Sequence, residues 1–259
     1  MTLAGRTLLA VHLDRSSLLR PVFPGMRAGL ADLLADQAYG PGELEVVVST
    51  GDDLVRTRRD GSHPPLTPVD AEAARAALPS RLRPLTGPDV PTAAGRLLDA
   101  VGDELAARAA AERPDRVVVL LVGAAGAGDA EGLRERIEHQ RATYGWEFAL
   151  VDVATGPVPA PTAAPAPATD DEGGSAVAVA ERPERPEQAD RYGIPPTAVL
   201  TAGPGADGVA AALAAASGFV RRARGTAPYV PVEGFSADDR AAADVPDARP
   251  GWRRLFRMA

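Results

Sequence analysis

The feature that most constrains this chain is the alternation of short apolar runs with longer segments whose apolar residues recur at helical spacing. The clearest run, Arg116–Val122 with the letters RVVVLLV, is typical of a strand that is buried on both faces. Short connections between such strands and helices favour a parallel sheet with helices on both sides. The sequence therefore predicts an α/β fold with a doubly wound, mainly parallel sheet of about six strands.

The elements can be placed along the chain from these patterns. The predicted strands are Thr7–Leu13, Leu44–Thr50, Leu54–Arg58 (a short antiparallel edge strand), Arg116–Val122, Trp146–Val153 and Ala198–Thr201. The predicted helices are Met26–Gln37, Val69–Leu78, Thr92–Ala111, Ala130–Thr143 and Asp207–Arg224. Ligands of such sheets bind beyond the carboxyl ends of the strands. We therefore expect the binding edge to hold Asp14–Leu18, Gly51–Asp53, Gly123–Gly128 and Asp152–Thr155.

Composition divides the chain into three parts. Residues 1–155 and 188–225 are predicted to form one α/β domain. Residues 156–187, rich in Pro, Ala and acidic residues, are predicted to be a disordered insertion. Residues 226–259 are predicted to be a flexible tail with a terminal docking motif, in which Trp252, Leu255 and Phe256 share one helical face beside Arg253. The motif is expected to dock either on a protein partner or on the chain's own domain.

The missing residue types exclude several kinds of chemistry. The chain has no Cys, which excludes disulfides, thiolate zinc sites and cysteine nucleophiles. All 28 basic residues are Arg, so no lysine can act as a base or bind phosphate in a P-loop. The net charge of −7 disfavours broad nucleic-acid binding. Apolar runs fall short of the roughly 20 residues of a membrane span. We therefore expect a cytoplasmic protein. The composition is biased toward Ala, Arg, Pro and Gly, which is typical of a GC-rich bacterial genome.

Several motifs together resemble those of one known family. Asp14–Leu18 (DRSSL) follows the first predicted strand, and Thr92–Leu98 (TAAGRLL) begins a predicted helix. Ile137–Phe148 (IEHQRATYGWEF) leads into another strand. These motifs, in this order, resemble the von Willebrand factor type A (VWA) family and in particular a bacterial branch of it. The resemblance covers about residues 6–155 and 188–224, and it implies a Rossmann-type three-layer fold.

The resemblance also implies a metal-ion-dependent adhesion site, of which Asp14, Ser16 and Thr92 are the remnant positions. Leu18 stands where the family has a second Ser, and Ala124 stands where it has an Asp. Because Mg²⁺ requires octahedral oxygen coordination, usually through carboxylates, we expect a degenerate site without a bound cofactor. Asp14 and Ser16 are then either metal ligands or residues that cap their own loop. Thr92 follows a proline and is expected to cap its helix.

The Gly-rich loop after Arg116–Val122 supports a different interpretation. Gly123, Gly126 and Gly128 precede a predicted helix, and Asp152 ends the next strand, where a ribose-binding acid belongs in dinucleotide-binding folds. The spacing is not the usual Gly-x-Gly-x-x-Gly, and the loop is not in the first strand–helix unit. A nucleotide- or dinucleotide-binding enzyme is therefore the alternative function.

The favoured prediction is a non-enzymatic VWA-like module that binds a protein and acts as an adaptor or regulatory subunit. The resemblance implies a protein partner, with a MoxR-type AAA+ ATPase as the example, because bacterial VWA proteins often work beside such ATPases. We expect neither nucleic-acid binding nor a membrane span. His12, which alternates with apolar residues in the first strand, is expected to be a core histidine whose hydrogen bonds are satisfied.

Overall fold

A parallel sheet organises the chain. The computed structural model describes residues 5–50, 67–84, 89–124, 130–153, 191–228 and 230–244. Within these ranges five strands form one sheet in the order β2-β1-β3-β4-β5, and all neighbouring pairs are parallel. The strands are β1 (Arg6–Leu13), β2 (Glu43–Ser49), β3 (Arg116–Gly123), β4 (Glu147–Asp152) and β5 (Val199–Thr201). The predicted α/β class with a mainly parallel sheet is confirmed.

Helices connect the strands and cover both faces of the sheet. They are α1 (Phe23–Gln37), α2 (Ala71–Ala77), α3 (Val90–Ala107), α4 (Ala130–Tyr144), α5 (Gly205–Gly225) and α6 (Ala237–Ala243). Their starts follow local rules: Asp70 caps α2, and Ser236 forms a capping box with Asp239 at the start of α6. Among the described helices, none combines the length and apolarity that a bilayer crossing requires.

The sheet separates two apolar cores because successive side chains of a strand point to opposite faces. One core lies under α1 and α5 and the other under α3 and α4. The first takes from the central strands Leu9, Val11, Leu13, Val118, Leu120 and Val122. The second takes Leu8, Ala10, Val117, Val119 and Leu121. The central strand β3 is buried along its whole length, which explains why RVVVLLV shows no polar alternation.

Helices α1 and α5 pack unusually closely. A Cβ atom added at Gly25 would lie 1.9 Å from the carbonyl oxygen of Ala206. One turn later, a Cβ atom at Gly29 would lie 2.8 Å from Cβ of Leu213 and 2.9 Å from Cα of Ala210. Neither position has room for a side chain, so the two glycines set the distance between the helices.

A polar network joins the same two helices at the end of α1. The Gln37 amide donates to the hydroxyl oxygen of Ser217 at 2.8 Å, and the Ser217 hydroxyl donates to Asp36. Arg224, which is 4% exposed, donates to the Gln37 side-chain oxygen at 3.0 Å and to the Gly42 carbonyl at 3.0 Å. The network therefore holds α1, α5 and the turn before β2 together, and it supplies partners for otherwise unpaired polar groups.

The predicted six strands are not confirmed. The expected edge strand Leu54–Arg58 lies outside the described residues. Beside β2 the structure instead shows a single antiparallel bridge between Val46 and Val69, with backbone hydrogen bonds of 2.7 and 3.1 Å. The sequence predicts that a helix begins at Val69. In the structure Asp70 caps this helix, which therefore begins at Ala71.

The segment after α5 also differs from the predicted flexible tail 226–259. Its described part contains α6, which packs against α5. Phe235 is 6% exposed and contacts Phe219, with ring centroids 5.3 Å apart, and Ala243 is fully buried. These two apolar residues, the ion pair between Arg222 and Asp239 at 2.8 Å, and hydrogen bonds from Arg240 to backbone carbonyls attach this segment to the domain. The insertion 156–187 and the terminal motif with Trp252, Arg253, Leu255 and Phe256 lie outside the described residues.

Gly29→Ala tests the close packing of α1 on α5. We expect the free energy of unfolding to fall by about 2 kcal/mol, because the new methyl group must push the helices apart. Gly102→Ala in α3 is the matched control, since the nearest side-chain atom to its added Cβ would be 4.0 Å away. That control should gain about 0.5–1 kcal/mol from better helix propensity. Urea unfolding of the three proteins measures both effects, and an equal gain in both variants would contradict the packing.

Candidate functional site

The carboxyl ends of all five strands lie at one edge of the sheet because the strands are parallel. From β1 the chain goes first to β2 on one side and later to β3 on the other side. The boundary between β1 and β3 is therefore the topological switch point, where ligands of doubly wound sheets bind. Asp14 lies at this boundary, and its backbone N–H donates to the carbonyl of Val122 at 2.8 Å.

The Asp14 side chain is buried and accepts hydrogen bonds from its neighbours. One carboxylate oxygen accepts the backbone N–H of Ser16 at 2.7 Å. The other accepts the Ser16 hydroxyl at 3.3 Å and the backbone N–H of Ala124 at 3.4 Å. Asp14 is 6% exposed. Its carboxylate therefore connects the loop after β1 with the loop after β3.

Glycine at position 123 is needed for this contact. A Cβ atom there would lie 2.5 Å from Cβ of Asp14 and 3.1 Å from one of its carboxylate oxygens. The first glycine of the Gly-rich loop is thus explained by the approach of Asp14. Burial raises the pKa of Asp14, and the hydrogen bonds from Ser16 and Ala124 partly oppose that rise.

The groups around Asp14 do not fit a Mg²⁺ ion. Ala124 presents a backbone N–H, a donor, where the resemblance implied a second carboxylate. Leu18 is 70% exposed and offers no oxygen where it implied a second hydroxyl. Across the described ranges, no three His, Asp or Glu residues lie close enough together to hold a metal ion.

Thr92 does not cap its helix, contrary to the prediction. The cap is Asp89, whose carboxylate accepts the backbone N–H of Thr92 at 2.8 Å. Val90 and Pro91 are the first residues of α3, so Thr92 lies inside its first turn. The sequence is ambiguous here because Asp89 and Thr92 are both residue types that are typical of a helix start. The backbone conformation shows which of them precedes the helix. Of the three remnant positions, the structure joins Asp14 and Ser16 directly.

The loop after β1 exposes one apolar side chain. Residues Ser17–Val22 form a 3₁₀ turn that begins with a hydrogen bond from Leu19 N–H to the Ser16 carbonyl. Leu19 is buried in the core under α1, whereas Leu18 points outward and is 70% exposed. An exposed leucine next to the switch point was not foreseen from the sequence.

His12 is buried as predicted, but its hydrogen bonds are not satisfied. It is 2% exposed and stands in register with Ser49 of β2 and Leu121 of β3. Its Nδ1 atom is buried and lacks a hydrogen-bond partner. Burial lowers the pKa of His12 from its ordinary value of 6.5 to about 4. The imidazole is therefore neutral in the folded chain at neutral pH.

Parts of the alternative nucleotide site can be located. Gly123 ends β3, and Asp152, 7% exposed, ends β4 in register with it. Gly126 and Gly128 lie outside the described residues, as do Gly51–Asp53 and Thr155. The two located residues are neighbours at the binding edge, but the space in front of Gly123 is filled by Asp14.

A cleft of about 590 Å³ lies at the opposite edge of the sheet. It is formed where the second half of α3 and the end of α4 meet the start of β3. Its wall includes four residues of the HQRATYGWEF string: His139, Gln140, Tyr144 and Trp146. Trp146 is 6% exposed and stacks on Phe148. The string therefore stabilises the end of α4 and the entry into β4, far from the strand ends where the other motifs lie.

The lowered pKa of His12 predicts how stability changes with pH. Below pH 6.5 the unfolded chain binds a proton at His12 that the folded chain does not, so stability is lost as the pH falls toward 4. A pKa lowered from 6.5 to about 4 corresponds to about 3 kcal/mol. The raised pKa of Asp14 acts in the opposite direction and persists in a His12 variant. His12→Leu should therefore lose less stability than the natural chain between pH 6.5 and 4, as measured by urea unfolding. Parallel pH profiles of the two proteins would contradict this assignment.

Comparisons with known proteins give structural neighbours only. No family model matches the chain, and neither does any curated protein. One similar solved structure is the von Willebrand factor type A from Catenulispora acidiphila, with 14% identity and a TM-score of 0.45. The match covers 84% of this chain and 43% of that one, so this chain spans less than half of its length.

Two further structures come from Bacteroides. An aerotolerance-related membrane protein from Bacteroides fragilis NCTC 9343, with multiple mutations to serines, is 13% identical with a TM-score of 0.39. That match covers 80% of this chain and 96% of the other. The conserved hypothetical protein BatB from Bacteroides thetaiotaomicron is 11% identical with a TM-score of 0.31, and the match covers 57% of this chain and 66% of BatB. The first of the three structures carries the name of the family that the loop motifs resemble.

Proposed function

We propose that this chain is a non-enzymatic, VWA-like protein-interaction module that uses the carboxyl edge of its sheet without a metal ion. The observation that carries the proposal is the state of Asp14. Its two carboxylate oxygens accept three hydrogen bonds from Ser16 and Ala124, so the acid connects two loops of the binding edge. The edge is thus held in shape by the protein's own groups, and Leu18 beside it is free to contact a partner.

An exposed leucine at this place favours a protein partner over a small ligand. An apolar side chain that is removed from water on binding adds to the affinity in proportion to the area that it buries. Over the described residues, the exposed large apolar side chains are Leu18, Tyr39, Val69, Tyr144 and Val230. Of these, Leu18 lies in the loop that leaves the switch point. An adaptor or regulatory role, with a MoxR-type ATPase as one partner, rests on the family resemblance.

The nucleotide-binding alternative is less well supported. A dinucleotide fold needs open space in front of its first glycine, so that the pyrophosphate can approach the backbone. Here a Cβ atom at Gly123 would already lie 2.5 Å from Asp14. The glycine thus accommodates a side chain of the same protein, and this contact explains it without a cofactor.

Metal independence can be tested on the purified chain. We expect millimolar Mg²⁺ or Mn²⁺ to leave the melting temperature unchanged, because the Asp14 carboxylate already accepts hydrogen bonds from Ser16 and Ala124 and a ligand stabilises only the state that it binds. Differential scanning fluorimetry with added metal or EDTA measures this. A rise in melting temperature that Asp14→Asn abolishes would instead show that the acid releases its hydrogen bonds and binds the ion.

The partner surface can be tested by substitution of Leu18. We expect affinity capture with the full chain to recover partners equally well in EDTA and in Mg²⁺, and Leu18→Asp to lose them because it places a charge in an apolar contact. Tyr39→Asp is the matched control, since Tyr39 is 87% exposed after the far end of α1. Quantitative mass spectrometry compares the captures. Capture that needs Mg²⁺, or that falls equally in both variants, would overturn the proposed function.

A further inference from the structure

The cleft at the edge of the sheet opposite the carboxyl ends of the strands is a site that the proposed function does not use. It lies between the second half of α3, the end of α4 and the start of β3, and its volume is about 590 Å³. Pockets that hold small molecules span roughly 300–1,000 Å³. The chemistry of its walls therefore decides which small molecule the cleft suits.

Small residues of α3 make the space. Gly102 and Ala106 are four residues apart, so they share one face of the helix, and both line the cleft. A Cβ atom added at Gly102 would meet nothing nearer than Nε2 of Gln140, which would be 4.0 Å away. Larger side chains at these two positions would extend into the cleft, so its volume follows from the local sequence of α3.

Part of the lining is apolar and aromatic. Leu105 and Val117 contribute aliphatic surface, and Tyr144 and Trp146 contribute rings. Trp146 is 6% exposed, whereas Tyr144 is 59% exposed and stands edge-on to His139, with ring centroids 5.9 Å apart. An apolar side chain of a ligand that covers this part leaves water, which favours binding in proportion to the area that is buried.

A guanidinium group is held in the lining at the end of α3. Arg113 donates from Nε to the Arg108 carbonyl at 3.3 Å and from Nη2 to the Ala106 carbonyl at 3.4 Å. These two hydrogen bonds use two of the five N–H groups of a guanidinium. Three N–H groups remain, which suffice for a carboxylate that accepts two parallel hydrogen bonds.

A carboxylate follows two residues later in the same lining. Oδ2 of Asp115 accepts the backbone N–H of Arg6 at 2.9 Å, so the acid is fixed at the start of β1. A Cβ atom at Gly5 would overlap this oxygen, which explains the glycine there. The second oxygen of Asp115 can accept from an ammonium group. The cleft thus offers one group of each charge, Arg113 and Asp115.

A third polar group of the lining lacks a partner. Oε1 of Gln140 is buried, and no residue within the described ranges donates a hydrogen bond to it. The last torsion of a glutamine side chain rotates easily, so the amide can turn this oxygen toward the cleft that Gln140 lines. An N–H group of a ligand would supply the donor that the protein does not provide.

We propose that this cleft binds a free α-amino acid with a large apolar side chain. The carboxylate of the amino acid pairs with Arg113, and its ammonium group pairs with Asp115 and the Gln140 oxygen. Its side chain packs on Trp146. A ligand with only one of the two charges would leave Arg113 or Asp115 covered and uncompensated, which is costly. The site lies away from the loop of Asp14 and does not depend on the proposed function.

L-Leucine and L-phenylalanine are the probes, and the fluorescence of Trp146 is the signal. The chain contains two tryptophans, so the full chain with Trp252→Phe reports on Trp146 alone. We expect a saturable change in fluorescence, and the same affinity from isothermal titration calorimetry of the natural chain. Phenethylamine lacks the carboxylate and 3-phenylpropionate lacks the ammonium group. Both should bind about tenfold more weakly than L-phenylalanine, because each loses a charge-assisted contact.

Two substitutions remove one charge of the site each. Arg113→Gln and Asp115→Asn should weaken amino-acid binding by about tenfold. Asparagine can still accept the N–H of Arg6, so the fold is kept. Arg20→Gln and Asp32→Asn are the matched controls, since both residues are exposed and lie in the 3₁₀ turn and in α1. Their charges are screened at that distance, so the affinity should stay within about twofold.

Ala106→Leu keeps both charges and fills the cleft. Ala106 is exposed in α3, so leucine should abolish binding and leave the melting temperature unchanged. The absence of saturable binding of either amino acid would overturn the amino-acid site. So would equal affinity for the two analogues, equal losses in the charge variants and their controls, or binding that survives Ala106→Leu.

Discussion

The close packing of α1 against α5 is the constraint on which the rest of the structure depends. Gly25 and Gly29 bring the helix backbones together, and the network of Gln37, Ser217 and Arg224 connects them at the other end of α1. Protein interiors are densely packed, so a helix cannot move by even the width of a methyl group without displacing the side chains that it covers. Since the 3₁₀ turn that follows β1 leads directly into α1, the position of α1 also decides where the loop of Asp14 lies.

That constraint explains how hydrogen bonds within the protein hold the carboxyl edge of the sheet in shape. The start of α1 holds the segment before α3 through Arg27, and the loop after β1 holds the same segment through Arg15. Asp14 connects this loop to the end of β3. The edge is thus supported from a helix, a strand and a neighbouring segment by hydrogen bonds within the protein. A partner that binds there meets a surface that is already organised, which lowers the entropic cost of association.

Sequence patterns predicted the sheet well because its central strands are buried on both faces, so that RVVVLLV and TLLAVHL have few alternatives. They predicted which loops share the carboxyl edge of the sheet, because parallel strands all end on the same side. They failed where a tertiary contact decides the outcome. Phe235 attaches α6 to α5 across an otherwise polar segment, and nothing local indicates that its ring meets Phe219. The contact of Arg15 with the Arg83 carbonyl was missed for the same reason, since these residues are neighbours only after folding. The sequence also predicted Thr92 as the cap of α3, where the structure shows Asp89, because two helix-start patterns lie next to each other there.

Hydrogen bonds compensate for part of the cost of burying the Asp14 carboxylate. Burial of a carboxylate is costly unless donors compensate for the lost water. Ser16 and Ala124 supply three donors, yet the pKa of Asp14 remains raised, so compensation is incomplete. A cation would complete it, but one such ion would need the oxygens that now bind Ser16 and Ala124. It would also meet the Ala124 N–H, whose partial positive charge repels it. The loss of the contacts of Asp14 with Ser16 and Ala124 would then offset the Coulombic gain. Buried ion pairs are weakly stabilising for a similar reason, because the cost of removing their charges from water offsets their attraction. The hydrogen-bonded state of Asp14 therefore suits an edge that is held in shape by groups of the protein itself.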